Sequence, residues 1–134
     1  MEFNDAILKT ALAETRTIAV VGLSPDPMKT SYRVSKYMQE AGYEIIPVHP
    51  SRAVILGQKA FGTLGEIEKP VDMICIFRNS QAVEPFIDEA MALAPKTIWL
   101  PLGVGCPTKI ATCEEKGIQY ISNRCLMVEH ARLI

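Results

Sequence analysis

Apolar positions recur along the chain with two different spacings, and their alternation predicts the fold. Ile7, Leu8, Ala11 and Leu12 share one face of a helix over 4–16, with Asp5 near its start and Arg16 at its end, as the helix dipole favours. Residues 17–22 form a continuous apolar, β-branched run closed by Gly22, the pattern of a strand buried on both faces. Pro25 and Pro27 then interrupt regular structure. Thr30 or Ser31 is the expected N-cap of a second helix, which carries Val34, Tyr37, Met38 and Ala41 at helical spacing and stops at Gly42. Four more strands are expected at 43–48, 71–77, 97–102 and 118–122. The intervening helices start at a Ser80 cap, with Val83, Phe86, Ile87, Ala90, Met91 and Ala94 as the apolar face, and run over 107–116. A closing helix covers 126–133. Residues 49–66 show no clear period, and unstructured segments of that length in compact domains are often functional.

Strands that alternate with helices must pair in parallel, because each crossover returns the chain to the same end of the sheet. Right-handed crossovers then give a doubly wound, Rossmann-like α/β fold with a five-stranded parallel sheet. The expected strand order is 3-2-1-4-5. No repeat, low-complexity stretch or linker divides the chain, so residues 1–134 are read as one domain with its N-terminal helix inside 1–16.

Composition narrows the class. The 134 residues are 49% hydrophobic and 22% charged, which excludes a disordered chain. Fourteen Lys and Arg against fifteen Asp and Glu give a net charge of −1, a balance unsuited to coating nucleic acid or an anionic membrane. No apolar run approaches the roughly 18 residues of a membrane-spanning helix. The start, Met1 to Asp5, is acidic where a signal peptide would be basic. Four cysteines without a CxxC pair, and only two histidines, speak against a structural zinc site and for a reducing compartment. The expectation is a cytoplasmic protein without a metal.

In an open parallel sheet, ligands bind beyond the carboxyl ends of the strands. The loop after the first strand, with Ser24, Lys29, Thr30 and Ser31, leads into a helix N-terminus suited to a diphosphate, or is an ordinary capped loop. The GxGxxG fingerprint of nicotinamide sites is absent, since Gly22 stands alone before Leu23-Ser24-Pro25. The second strand ends in Val48-His49-Pro50-Ser51-Arg52 rather than in an acid. A carboxylate there would repel a phosphorylated ribose, whereas His49, Ser51 and Arg52 would accept one. That favours NADP or coenzyme A, unless Arg52 is a solvated surface charge. Arg78, after Phe77, either reaches a ligand or makes a structural salt bridge. Residues 99–103 offer an apolar rim suited to a pantetheine arm.

These blocks together resemble the small stand-alone CoA-binding proteins, which are similar to the CoA-binding domain of succinyl-CoA synthetase alpha subunits and NDP-forming acyl-CoA synthetases. The resemblance spans 17–134. It rests on Ile18 to Ser24, Ser31 to Val34, Tyr37-Met38, Gly42-Tyr43, Pro47 to Pro50, Val71-Asp72, Phe77-Arg78, Trp99 to Gly103, Asn123 to Cys125 and Glu129 to Ala131. It implies non-covalent binding of coenzyme A or an acyl-CoA, with no established reaction. Gly22, Leu23, Ser24, Pro25, Lys29, Thr30 and Ser31 would hold the diphosphate. Val48, His49, Pro50 and Arg52 would border adenine and the phosphorylated ribose, and Phe77, Arg78, Asn79 and Leu102 would line the pantetheine path. His49, Pro101 and Asn123 stand where the family more often has Asn, Gln and Asp.

No catalytic group is expected. His49 is at the wrong place for phosphate relay, His130 reads as a packing or surface residue, and Cys125 and Cys75 read as buried structural thiols. No carboxylate pair is expected at the crevice, Glu66 and Glu68 lying on a distant connection. The reading is a binding module that sequesters, senses or presents its ligand, to a protein partner or as a homo-oligomer. The alternative is an NADP-dependent reductase or a nucleotide-binding regulatory subunit.

Overall fold

The computed structural model describes residues 4–134, so Met1 to Phe3 lie outside the described residues. Helix α1 (Asp5–Ala13) is capped by Asn4, whose Oδ1 accepts the Ile7 N–H at 2.9 Å, and it buries Leu8, Ala11 and Leu12. Next come β1 (Thr17–Val21), α2 (Thr30–Glu40) and β2 (Glu44–Val48). A small hairpin, β3 (Val54–Ile55) and β4 (Gln58–Lys59), leads to β5 (Met73–Ile76) and α3 (Glu84–Ala92). The chain ends with β6 (Thr97–Trp99), α4 (Ile110–Glu115), β7 (Gln119–Ile121) and α5 (Leu126–Leu133).

The main sheet is five-stranded and wholly parallel, in the order β2-β1-β5-β6-β7. The doubly wound sheet is the one the alternation predicts, but the order is corrected. The third long strand sits beside the first, giving 2-1-3-4-5 in place of 3-2-1-4-5. One feature of the structure and one of the sequence account for this. Met73, Ile74, Cys75 and Ile76 are all 0% exposed, which an edge position does not provide. Pro47 has no N–H to offer a second neighbour, a defect that only an edge strand tolerates.

Strand β2 is therefore the edge, and residues 49–66 cover it instead of forming an open loop. The Phe61 N–H donates to the Pro47 carbonyl at 3.0 Å, and the His49 N–H donates to the Phe61 carbonyl at 2.8 Å. The hairpin turns at Leu56 and Gly57, with φ of 53° and 78°. A 3-10 turn at Leu64–Glu66 is fastened by Glu66, whose Oε2 accepts the Thr63 N–H at 3.1 Å.

Helix α5 packs against both α1 and α2. Helices α3 and α4 follow strands that advance the other way across the sheet, so right-handed crossovers put them on the opposite face. The core runs between these layers through Ile18, Ala19, Met38, Ile74, Ile87, Ile98 and Trp99. The Trp99 Nε1–H donates to the Arg124 carbonyl at 2.8 Å, so its one polar atom is satisfied. Among the described residues, no helix is long and apolar enough to cross a membrane.

Two expected caps are corrected. Ser80 does not cap α3. Its Oγ accepts the Gly105 N–H at 3.1 Å and lies 3.4 Å from the Gly103 carbonyl, joining the loops after β5 and β6. Neither Thr30 nor Ser31 caps α2, because both lie inside it and Lys29 holds the cap position without a side-chain bond.

Candidate functional site

The chain leaves β1 toward β2 on one side and reaches β5 on the other, so the crevice of this sheet opens between the carboxyl ends of β1 and β5. Gly22 follows β1 with φ of 79°. A Cβ there would stand 2.3 Å from Arg78 Nη1 and 2.5 Å from the Phe77 carbonyl oxygen. Glycine is thus what lets the Arg78 guanidinium lie across the mouth of the crevice. Nη1 of Arg78 donates to the Phe77 carbonyl at 3.1 Å, and Cζ sits 5.2 Å from the Phe86 ring centroid. No carboxylate among the described residues pairs with it.

The loop from Gly22 to Lys29 is held by its own short side chains. Ser31 Oγ accepts the Ser24 N–H at 3.0 Å, Ser24 Oγ accepts the Asp26 N–H at 3.0 Å, and Asp26 Oδ1 accepts the Met28 N–H at 2.9 Å. Helix α2 then starts with no side-chain cap bond and no acid in its first turn. Its leading N–H groups are therefore without a side-chain cap, at the positive end of the helix dipole. Ser31 and Leu23, 7% and 0% exposed, support this loop from below and do not offer their side chains to solvent.

Arg78 is the shared wall of two clefts. The larger, about 520 Å³, runs from Thr30 and Val34 past Phe77, Arg78 and Asn79 to Leu102, with Trp99, Val104, Cys75 and Cys125 deeper along it. It is predominantly apolar, as the residues after β6 suggest. The smaller, about 290 Å³, lies toward β2 between Val48, Pro50, Gly62 and Thr63 on one side and Phe86 and Glu89 on the other. Gly62, Thr63, Phe86 and Glu89 line this cleft without having been expected there; Gly62 and Thr63 reach it because the 49–66 segment folds back along β2, and Phe86 and Glu89 reach it from α3.

The second wall is not the basic surface expected from the sequence. Arg52, at φ of 55°, is held by Glu66 through both guanidinium nitrogens, with Nη2 to Oε2 at 3.0 Å and a shorter Nη1–Oε1 contact. Glu66 is a neighbour of Arg52, and its placing on a distant connection is corrected. Each partner shifts the other, the guanidinium holding the Glu66 carboxyl below its ordinary value and the carboxylate raising Arg52. His49 is used locally, its Nδ1 meeting Ser51 Oγ at 2.7 Å and the Ser51 N–H at 3.1 Å. Asn79 Oδ1 accepts the Ala82 N–H at 3.0 Å ahead of α3. Pro25 and Lys29 are exposed on the first loop.

Cys75 fits its expected place in the core, and burial pushes its thiol far above the ordinary range. Cys125 is corrected. It is only partly buried and lines the larger cleft at the N-cap of α5. His130 is half-buried, with Nδ1 3.0 Å from Tyr37 Oη and its ring edge-on to Tyr37 and Tyr43. No group of three or more metal-ligating side chains occurs among the described residues.

Residues 16–131 match the model of the family described as "CoA binding domain". The chain belongs to this family. It is 40% identical over 126 residues to the "Uncharacterized protein YneT" of Bacillus subtilis (strain 168), covering 94% of this chain and 93% of that one. It is 30% identical to "Acetate--CoA ligase [ADP-forming] II subunit alpha" of Pyrococcus furiosus, covering 81% of this chain but 24% of that subunit. The solved structure of cell-free ID.343 from Thermus thermophilus superposes with a TM-score of 0.91 at 36% identity, over 98% of this chain and 100% of that one.

Proposed function

We propose that this protein is a non-covalent binder of coenzyme A or an acyl-CoA, acting through sequestration, sensing or presentation of its ligand. The observation that carries the reading is the arrangement at the β1/β5 crevice. An uncapped helix N-terminus and a guanidinium without a carboxylate partner flank the join between a small cleft and a long apolar one. That suits a molecule with a diphosphate in its middle, a nucleoside at one end and a thin, mainly apolar arm at the other.

In this reading Gly22, Ser24, Pro25, Lys29 and Thr30 border the diphosphate, with Leu23 and Ser31 shaping the loop beneath. Val48, His49 and Pro50 face the adenosine end. Phe77, Arg78, Asn79 and Leu102 follow the arm, and Trp99 and Val104 extend that path. Arg52 meets the ribose phosphate only by exchanging Glu66 for it. Membership of the family supports the cofactor, and the acetate–CoA ligase relative supports an acyl-CoA context for the domain.

Calorimetry with CoA, dephospho-CoA and NADP tests this. The expected outcome is micromolar or tighter binding of CoA and weaker binding of NADP, whose second, polar nucleoside suits a predominantly apolar cleft less well than a pantetheine arm does. Tighter binding of NADP, accompanied by NADPH oxidation, would replace this reading with that of a reductase.

A further inference from the structure

The larger cleft holds two sulfurs that non-covalent binding does not use. Cys75 stands at the end of β5, 0% exposed, with no hydrogen bond to its Sγ among the described residues, and faces the cleft. Cys125 enters the same cleft from the N-cap of α5, and its side chain makes no bond to the helix's leading N–H groups. Both side chains line this one cleft. Cys106 and Cys113 are buried elsewhere, so Cys125 is the partly exposed thiol of the four. Around it the cleft is predominantly apolar, lined by Val104, Leu126 and Trp99.

We propose that Cys125 is a thiol–disulfide exchange site for the disulfide form of the cofactor. The inference rests on the CoA reading of the cleft, since it needs the arm to end there. In the exchange, the Cys125 thiolate attacks one sulfur of the symmetric CoA disulfide. The CoA–CoA sulfur bond breaks, a Cys125–CoA sulfur bond forms, and one CoA thiolate leaves with the electron pair and takes up a proton from water. The oxidant is the CoA disulfide itself, and no other redox partner enters.

Cys75 limits the fate of this adduct. Burial holds it as a neutral thiol, so it is a poor nucleophile for attack on the mixed disulfide. The adduct is therefore retained rather than resolved to an internal Cys75–Cys125 disulfide, and its removal needs an external thiol. The site would record the ratio of CoA disulfide to CoA, with the apolar cleft sheltering the modified sulfur.

Intact-mass and peptide mass spectrometry on the full chain test this, with CoA disulfide and cystamine as probes. The expected result is one adduct, on Cys125, formed at least about tenfold faster from CoA disulfide than from cystamine, because docking raises the local concentration of the reacting sulfur. Desulfo-CoA should suppress it, dithiothreitol should reverse it, and Cys125→Ser should abolish it. Calorimetric binding of CoA by the wild-type chain without any Cys125 adduct overturns the exchange site and leaves the binding reading standing. An adduct formed equally fast from cystamine and unprotected by desulfo-CoA overturns the exchange site as a cofactor-directed device. If calorimetry also detects no CoA, the binding reading fails as well.

Discussion

The two walls of the crevice each carry one arginine, and they use it in opposite ways. On the β1/β5 wall, Arg78 lies over Gly22 and against Phe86, and its Nη1 donates to the neutral carbonyl of the preceding residue. On the β2 wall, Arg52 lies over Gly62 and is closed off by the Glu66 carboxylate. In sequence both read as cations at strand ends. The difference lies in what the fold brings to meet them. A cation without a counter-charge is available to a phosphate at once, whereas a paired one must first give up its carboxylate. Affinity for the diphosphate should therefore reside on the first wall, and preference for the extra ribose phosphate on the second.

The largest effect should come from removing the space that Arg78 occupies. Gly22→Ala puts a methyl group against the Phe77 carbonyl oxygen at 2.5 Å and imposes a side chain on a φ of 79°. Backbone strain and overpacking together should lower stability by about 2–4 kcal/mol, with CoA binding lost in calorimetry. Chemical denaturation measures the loss of stability. A variant that keeps both wild-type stability and binding would show that Arg78 need not lie there. Arg78→Gln is the gentler cut, because it leaves Gly22 and the backbone untouched. It should weaken CoA about 10- to 100-fold while changing unfolding by about 1 kcal/mol or less, the scale of one charge-assisted phosphate contact against one cation–π contact. Equal losses for CoA and dephospho-CoA would place the lost contact on the diphosphate.

How much of this can be read in the sequence divides along the same line. The strand–helix alternation, the core runs and the first loop are legible, because each is a local pattern: four consecutive apolar residues in β5, Gly22 after β1, two prolines in the loop. The expected order 3-2-1-4-5 is not the one found, because strand–helix alternation alone does not rank the strands; the residue that bears on it is Pro47. Pro47 marks β2 as the edge, since an inner strand would need the N–H that proline lacks. What no local pattern carries is the partner of each charged group. Glu66 lies fourteen positions from Arg52, and they meet only because the β3–β4 hairpin folds back along β2. Cys125 departs from its expected burial for a related reason. Its exposure depends on where α5 begins relative to the cleft, not on the residues beside it.

The smallest and most discriminating effect concerns Glu66. The two side chains of the pair are 55% and 33% exposed, so solvent and salt weaken it, and Glu66→Gln should shift the melting temperature only slightly. Its consequence for binding has a definite sign. Freed of its carboxylate, Arg52 should raise affinity for CoA by up to about fivefold and leave dephospho-CoA unchanged, so the ratio of the two affinities widens. Acid should act in the same direction. The Glu66 carboxyl is held below its ordinary value of 4.5, so its contribution to stability is present above that value and fades as pH falls through the lower, folded-state value. Hydrogen exchange at the Thr63 amide, which donates to Glu66 at 3.1 Å, should accelerate relative to the core over that window in the wild type. In Glu66→Gln it should show no such step. If instead Glu66→Gln binds CoA and dephospho-CoA in the wild-type ratio, Arg52 has no part in recognising the ribose phosphate. The contrast between the walls would then be one of structure alone.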